Sequence, residues 1–182
     1  MADDRDTAPA NPSDIPKTAN PGTQAEPPYQ IMRQYIKDLS FENPNAPQTF
    51  ASSAAPEASI VIDVQTAALG GRDVEVVLTV EVKAEQDGQT AYILELAYAA
   101  IVRVGQVPKE ALNALLLVEV PRMLFPFVRQ IVCDSTRSGG FSMLLLAPFD
   151  FVQLYRRRLA AQEEAQKAAE GKDAAEGETA EA

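Results

Sequence analysis

Apolar and polar residues alternate through four stretches of this chain, each closed by residues that favour turns. The first runs from about 30 to 42, where Tyr35-Ile-Lys-Asp-Leu-Ser-Phe-Glu42 ends at Asn43, Pro44, Asn45 and Pro47. A loop rich in Ala, Ser and Pro, from Pro44 to Ala58, leads to a second stretch at about 59–67. Gly70 and Gly71 then turn the chain into a third, about 73–85. Here Val74, Val76, Leu78, Val80 and Val82 alternate with Glu75, Thr79, Glu81 and Lys83, so a strand puts one set on each face. Asp87-Gly88 marks a tight hairpin, because a two-residue reverse turn needs positive φ. The fourth strand follows from about 90 to 104.

Helical spacing begins only after these strands. Pro108 opens a helix from Lys109 to about Glu119, since its missing N–H costs little at that position. Pro121 opens a second helix to about Ser138, with a kink expected at Pro126 and an end at Gly139-Gly140. A loop from Phe141 to Pro148 precedes a last helix, about 150–166, with Asp150 as its N-cap and coil beyond Gln166. Four consecutive strands before any helix predict an α+β protein with a four-stranded antiparallel sheet. The Val/Leu face of strand three supplies the side for helices to cover.

Three regions follow from composition. Residues 1–28 hold Ile15 as their one large apolar side chain beyond Met1, too little to offset the entropy of ordering, and are expected to be disordered. Residues 29–161 form one domain, and residues 162–182 a disordered acidic tail. The formal charge of −10 sits mostly in the two ends, and no basic stripe with interleaved aromatics is present to meet phosphates. A nucleic-acid partner is therefore not expected. The chain has no histidine and one cysteine, Cys133, which excludes intramolecular disulfides, Cys/His zinc sites and histidine-based triads. Cys133 lies in an apolar helical stretch and reads as a buried structural thiol. Neither an enzyme nor a cofactor is expected. No basic region followed by an apolar run opens the chain, and the unbroken apolar runs are short of a membrane span, so a cytoplasmic protein without membrane insertion is expected.

Two features point to binding. Strand four has Tyr92, Leu94, Leu96 and Tyr98 on one face and Ala91, Ile93, Glu95 and Ala97 on the other. A sheet covered on one side needs only one apolar face. The Tyr/Leu face is therefore expected to be buried against another copy of the chain, and aspartates at Leu94 and Leu96 to separate the copies. The second feature is an excess of large apolar groups in loops. Phe50 follows the first turn, and Phe141, Met143, Leu144, Leu145, Leu146, Phe149 and Phe151 crowd the segment around Pro148. Met and aromatic side chains adapt in shape and bind by burial, without needing a particular hydrogen bond.

Several short motifs resemble the SecB family of protein-export chaperones. The first strand reads much as that family's does. Leu124-Phe-Pro-Phe-Val-Arg129 is similar to its Leu-Phe-Pro-Tyr-Ala-Arg, Arg137-Ser-Gly-Gly-Phe141 to its Arg-Gly-Gly-Phe-Pro, and Leu146-Ala-Pro-Phe-Asp-Phe151 with Leu154-Tyr155 to its Leu-Ala-Pro-Val-Asn-Phe and Leu-Tyr. Thr90-Ala-Tyr-Ile-Leu-Glu95 looks like its fourth-strand start. The matches keep order from about 29 to 160. Departures are Val120-Pro-Arg122 in place of Cys-Pro-Asn, Ser142 in place of proline, less glycine before Val120, and Ala54-Ala55 where a tryptophan often precedes the Pro-Glu pair.

The resemblance implies a homotetramer, a dimer of dimers, that holds unfolded precursor proteins without ATP and hands them to the SecA motor. It implies that SecA meets Asp38, Glu42, Ile93 and Glu95, and that strand four joins copies through Tyr92, Leu94, Leu96 and Tyr98. The client groove is expected at Phe50, Phe141, Met143, Leu145, Phe149, Phe151 and Tyr155. Two other readings use the same apolar loops: a carrier of a small hydrophobic ligand, and a SecB-like chaperone serving a toxin–antitoxin pair.

Overall fold

The computed structural model describes residues 27–178. Strands β1 (Tyr29–Glu42), β2 (Glu57–Gly70), β3 (Asp73–Gln86) and β4 (Gln89–Val104) form one antiparallel sheet in the order β1-β4-β3-β2. Helix α1 (Lys109–Ala114), a π-helical turn (Leu115–Glu119) and helix α2 (Val120–Ser138) follow, then α3 (Phe151–Glu178). The α+β class and the four-stranded antiparallel sheet are as the alternation predicted. At the hairpin, Asp87 (φ 52°) and Gly88 (φ 76°) take the positive φ values that the tight turn demands.

One side of the sheet carries the core. Val76, Leu78, Val80 and Val82 of β3 and Tyr92, Leu94, Leu96 and Val102 of β4 are buried with Leu116, Val118, Leu124, Val128 and Val132 of the helices. The other side is open and holds Glu81, Lys83 and Glu95.

Three elements depart from expectation. Strand β2 is longer at both ends than 59–67, because its pairing with β3 continues from Glu57↔Glu85 to Gly70↔Asp73. Pro121 does not separate two helices. The wider π turn lies just ahead of it, where a proline ring would otherwise press on the carbonyl four residues back, and the helix runs through. Lys109–Ser138 is in consequence long and apolar enough, by length and composition, to cross a membrane. Its stripe of Leu116, Val118, Leu124, Val128 and Val132 packs on the chain's own sheet. Helix α3 passes Gln166 and reaches Glu178, as Ala, Glu, Lys and Gln have high helix propensity even without an apolar face. Its start is as predicted: the Asp150 carboxylate accepts the Gln153 N–H at 3.0 Å. The segment expected to be disordered lies, up to residue 26, outside the described residues.

Candidate binding surfaces

The open face of the sheet is built by register. Glu42 pairs with Ile93, Ser40 with Glu95 and Asp38 with Ala97, so the four residues assigned to a motor partner share one corner. Glu81 lies directly across from Glu95 on β3 and joins the patch, which the sequence reading missed. Like charges facing each other on neighbouring strands cost stability.

A polar strap crosses this face beside the patch. Tyr35 donates to Glu75 at 2.5 Å and the Lys37 ammonium donates to its other oxygen at 2.7 Å, joining β1 to β3 over Ala99 of the strand between. Ala99 is fully buried beneath, and a larger residue would block the span. Lys37 and then Tyr35 hold the Glu75 carboxyl below its usual range, and Glu75 in turn raises the Tyr35 phenol. A lowered carboxylate stabilises the fold above its unfolded value, and that contribution is lost as pH falls through the folded one. Glu75→Gln should cost about 1 kcal/mol at neutral pH and flatten the acid limb of a stability–pH curve. Chemical unfolding at a series of pH values reads both, and an unchanged acid limb would show that the strap contributes nothing.

The residues expected to line a client groove fall in three places. Phe50 and Phe141 meet at 5.3 Å between ring centroids, and Phe141 continues to Tyr92 at 4.7 Å and Phe41 at 6.5 Å. Phe41 stacks on Tyr92 at 5.5 Å. Gly139 permits this cluster, because a Cβ there would lie 2.3 Å from the Phe41 ring. Gly140, at φ 88°, turns the chain toward Phe50. Beside it, Leu39, Phe41, Ile131 and the end of α2 line an open groove of about 420 Å³. Met143 and Leu145 stand exposed on the following loop. Phe149 and Phe151 form the second place, 4.9 Å apart, with Phe125 on Phe151 at 5.9 Å. Phe151 is 1% exposed and belongs to the core, and it forms the floor of a trough of about 390 Å³ walled by Phe125, Pro126 and Phe149. Tyr155 is the third, in a trough between α1 and α3.

The assignment of Tyr92, Leu94, Leu96 and Tyr98 to an interface between copies is overturned. All four are buried in the chain's own core, Leu94 completely. The cause is a β-bulge. A two-residue hairpin at Asp87-Gly88 begins with Gln86↔Gln89 and Glu85↔Thr90, but the register then jumps to Ala84↔Tyr92. The extra residue, Ala91, exchanges the two faces of β4, and Leu94 comes to lie beside Val82 under the helices. Cys133 is half-buried, more open than expected.

At the far edge, Arg158 of α3 donates to the backbone carbonyl of Val64 at 2.6 Å and forms an ion pair with Asp63. This clamp ties the last helix to β2. No group of metal-ligating side chains gathers among the described residues.

A bulged four-stranded sheet with a charged open face and apolar grooves on its helical side defines a SecB-like fold. A SecB-like chaperone of Mycobacterium tuberculosis, solved with a peptide of the HigA1 antitoxin, shares it at a TM-score of 0.56 over 66% of this chain and 90% of that one, with 16% identity. The chain belongs to the SecB family: the model described as "Preprotein translocase subunit SecB" matches residues 22–162. Relatives described as "Protein-export protein SecB" from Bradyrhizobium sp. and Afipia carboxidovorans are each 48% identical, over 82% and 79% of this chain and 93% and 89% of theirs. It is thus a member of a family of protein-export chaperones.

Proposed function

We propose that this chaperone holds unfolded precursors without nucleotide in the cytoplasm and delivers them to SecA. The observation that carries the reading is the exposed apolar set Phe50, Met143 and Leu145 around the aromatic cluster, presented on loops that a client can cover. Apolar area without a polar code suits many sequences, since burial alone supplies affinity. The grooves are open troughs, which favours an extended polypeptide over a small ligand held in an enclosed cavity. No reaction is assigned, and neither nucleic acid nor direct membrane insertion enters the proposal.

A homotetramer is part of this reading, with its contacts placed elsewhere than first expected. Ile36 and Leu39 of β1 and Met123 and Phe127 of α2 are exposed on one side. Ile36 pairs with Tyr98, and Phe127 stacks on the same ring at 6.2 Å, so the exposed groups adjoin. Contiguous apolar surface of this kind marks an interface, and copies meet here in the proposed assembly.

The test is light scattering of a denatured secretory precursor diluted with and without the protein and without ATP. The unmodified chain should suppress aggregation. Met143→Ser with Leu145→Ser should need about tenfold more chaperone for the same effect, as two exposed apolar groups are lost without disturbing the core. Equal suppression by a folded double variant would place client binding elsewhere.

A further inference from the structure

A groove of about 620 Å³ lies between α1 and α3 and is walled by Leu115, Val118, Tyr155 and Leu159. Its rim carries one guanidinium, Arg156, and one carboxylate, Glu119. Pro28 also lines it, so the described chain begins at the mouth of this trough. That entry is fixed: the Gly105 N–H donates to the Pro28 carbonyl at 3.0 Å. A Cβ on Gly105 would come within 2.3 Å of the Pro27 carbonyl oxygen, so the backbone there is pressed against the β4–α1 corner.

We propose that the groove is the docking site of this chain's own N-terminal segment, with Ile15 as the inserted side chain. Between Ala2 and Pro28, Ile15 is the one large apolar residue, and it stands between Asp14 on one side and Pro16-Lys17 on the other. That order sets the Asp14 carboxylate against the Arg156 guanidinium of the rim, while the Glu119 carboxylate is held by Arg122 at 2.8 Å. Reach is ample, because the dozen residues from Ile15 to Pro27 span up to about 40 Å when extended. A tether of this length gives an effective concentration in the millimolar range, so a contact of about millimolar strength, Ile15 burial together with its charged flanks, fills the site about half of the time. A π turn forms part of the wall, a local geometry often found where a helix serves a site.

The consequence is competition, and it rests on the chaperone reading above. Tyr155 belongs to the apolar surface offered to clients, and a client entering the trough must displace the segment. The apparent affinity falls by the fraction of molecules that are open. The occupant acts as a built-in pseudo-client that shields the groove until a longer apolar segment arrives.

Two measurements on the full chain test this. A benzophenone amino acid in place of Ile15 should crosslink within one chain to residues 111–118 or 152–159, read by peptide mass mapping at low concentration. Ile15→Asp should bind reduced, carboxymethylated lactalbumin about twofold more tightly than the unmodified chain. Circular dichroism of the variant checks that the fold is kept. Crosslinks to another copy, crosslinks elsewhere, or an unchanged affinity would each overturn the proposal. If neither form binds the unfolded protein while the crosslink appears, the chaperone reading fails and with it the competition, whereas the docking contact stands.

Discussion

Leu94→Asp abolishes the fold in our expectation, and does not merely dissociate an assembly. Leu94 is wholly buried, with Val82 beside it across the hairpin and Phe41 opposite on β1. A carboxylate there has no cationic partner among the core residues, and removing an unpaired charge from water costs several kcal/mol or more. The whole stability of a domain is about 5–15 kcal/mol. Leu94→Ala should cost about 2–5 kcal/mol and still fold. Near-ultraviolet circular dichroism and thermal melting of both variants decide the matter. A Leu94→Asp chain that melts cooperatively and sediments as a smaller species would return the residue to an interface between copies.

Charge change on the open corner gives the second large effect. Asp38→Ala together with Glu95→Lys removes one carboxylate and reverses another within a patch that also holds Glu42 and Glu81. Carboxylates fixed on a sheet meet a basic partner without rearrangement, and salt weakens that attraction. Binding to SecA in low salt should weaken about tenfold or more, with client binding and assembly unaltered because neither residue reaches the core. Glu95→Lys also faces Glu81 with an opposite charge, so the variant should be no less stable. Isothermal titration against SecA provides the reading. An affinity equal to that of the unmodified protein would move attention to the acidic end of the chain.

Much of this architecture was legible because local signals and global fold agree. Alternation from Val74 to Val82, the Asp87-Gly88 turn and the Asp150 cap each name their own structure, and each is found. Bulges were not legible, and the misplaced interface follows from one of them. Alternation reports that two faces exist, while the choice between them passes through every pairing back to the turn. One extra residue at Ala91 reverses it. Size was the missed signal, since Tyr and Leu fill a core under helices whereas Ala99 lets the Tyr35–Glu75 strap cross the sheet.

Strand β1 shows the same effect twice. Its register shifts between Ile31 and Arg33 and again between Ile36 and Asp38. Strict alternation counted back from Phe41 would put Lys37 and Tyr35 on the core side. With the second bulge, Ile36 takes that side and Tyr35 turns to Glu75. The corner of Asp38, Glu42, Ile93 and Glu95 still comes together, because Asp38 and Glu42 lie beyond both bulges and pair with Ala97 and Ile93 on either side of Glu95. The aromatic cluster is half legible: Phe50 and Phe141 stand out as large apolar residues in loops, while Phe41 and Tyr92 lie in strands, where alternation does not name their partners.

The Arg158 clamp also bears on a hazard that a handler of extended chains must meet. An unpaired strand at the rim of a sheet invites any extended polypeptide to zip onto it. Strand β1 is broken up by two bulges, but β2 pairs without interruption from Glu57 to Ala68 and offers a longer template. Midway along it, the Arg158 guanidinium already holds the Val64 carbonyl and the Asp63 carboxylate. An added strand would have to evict a charged donor at that point. The same contact that seats the last helix therefore guards the chaperone against becoming one more strand in an aggregate of its own clients.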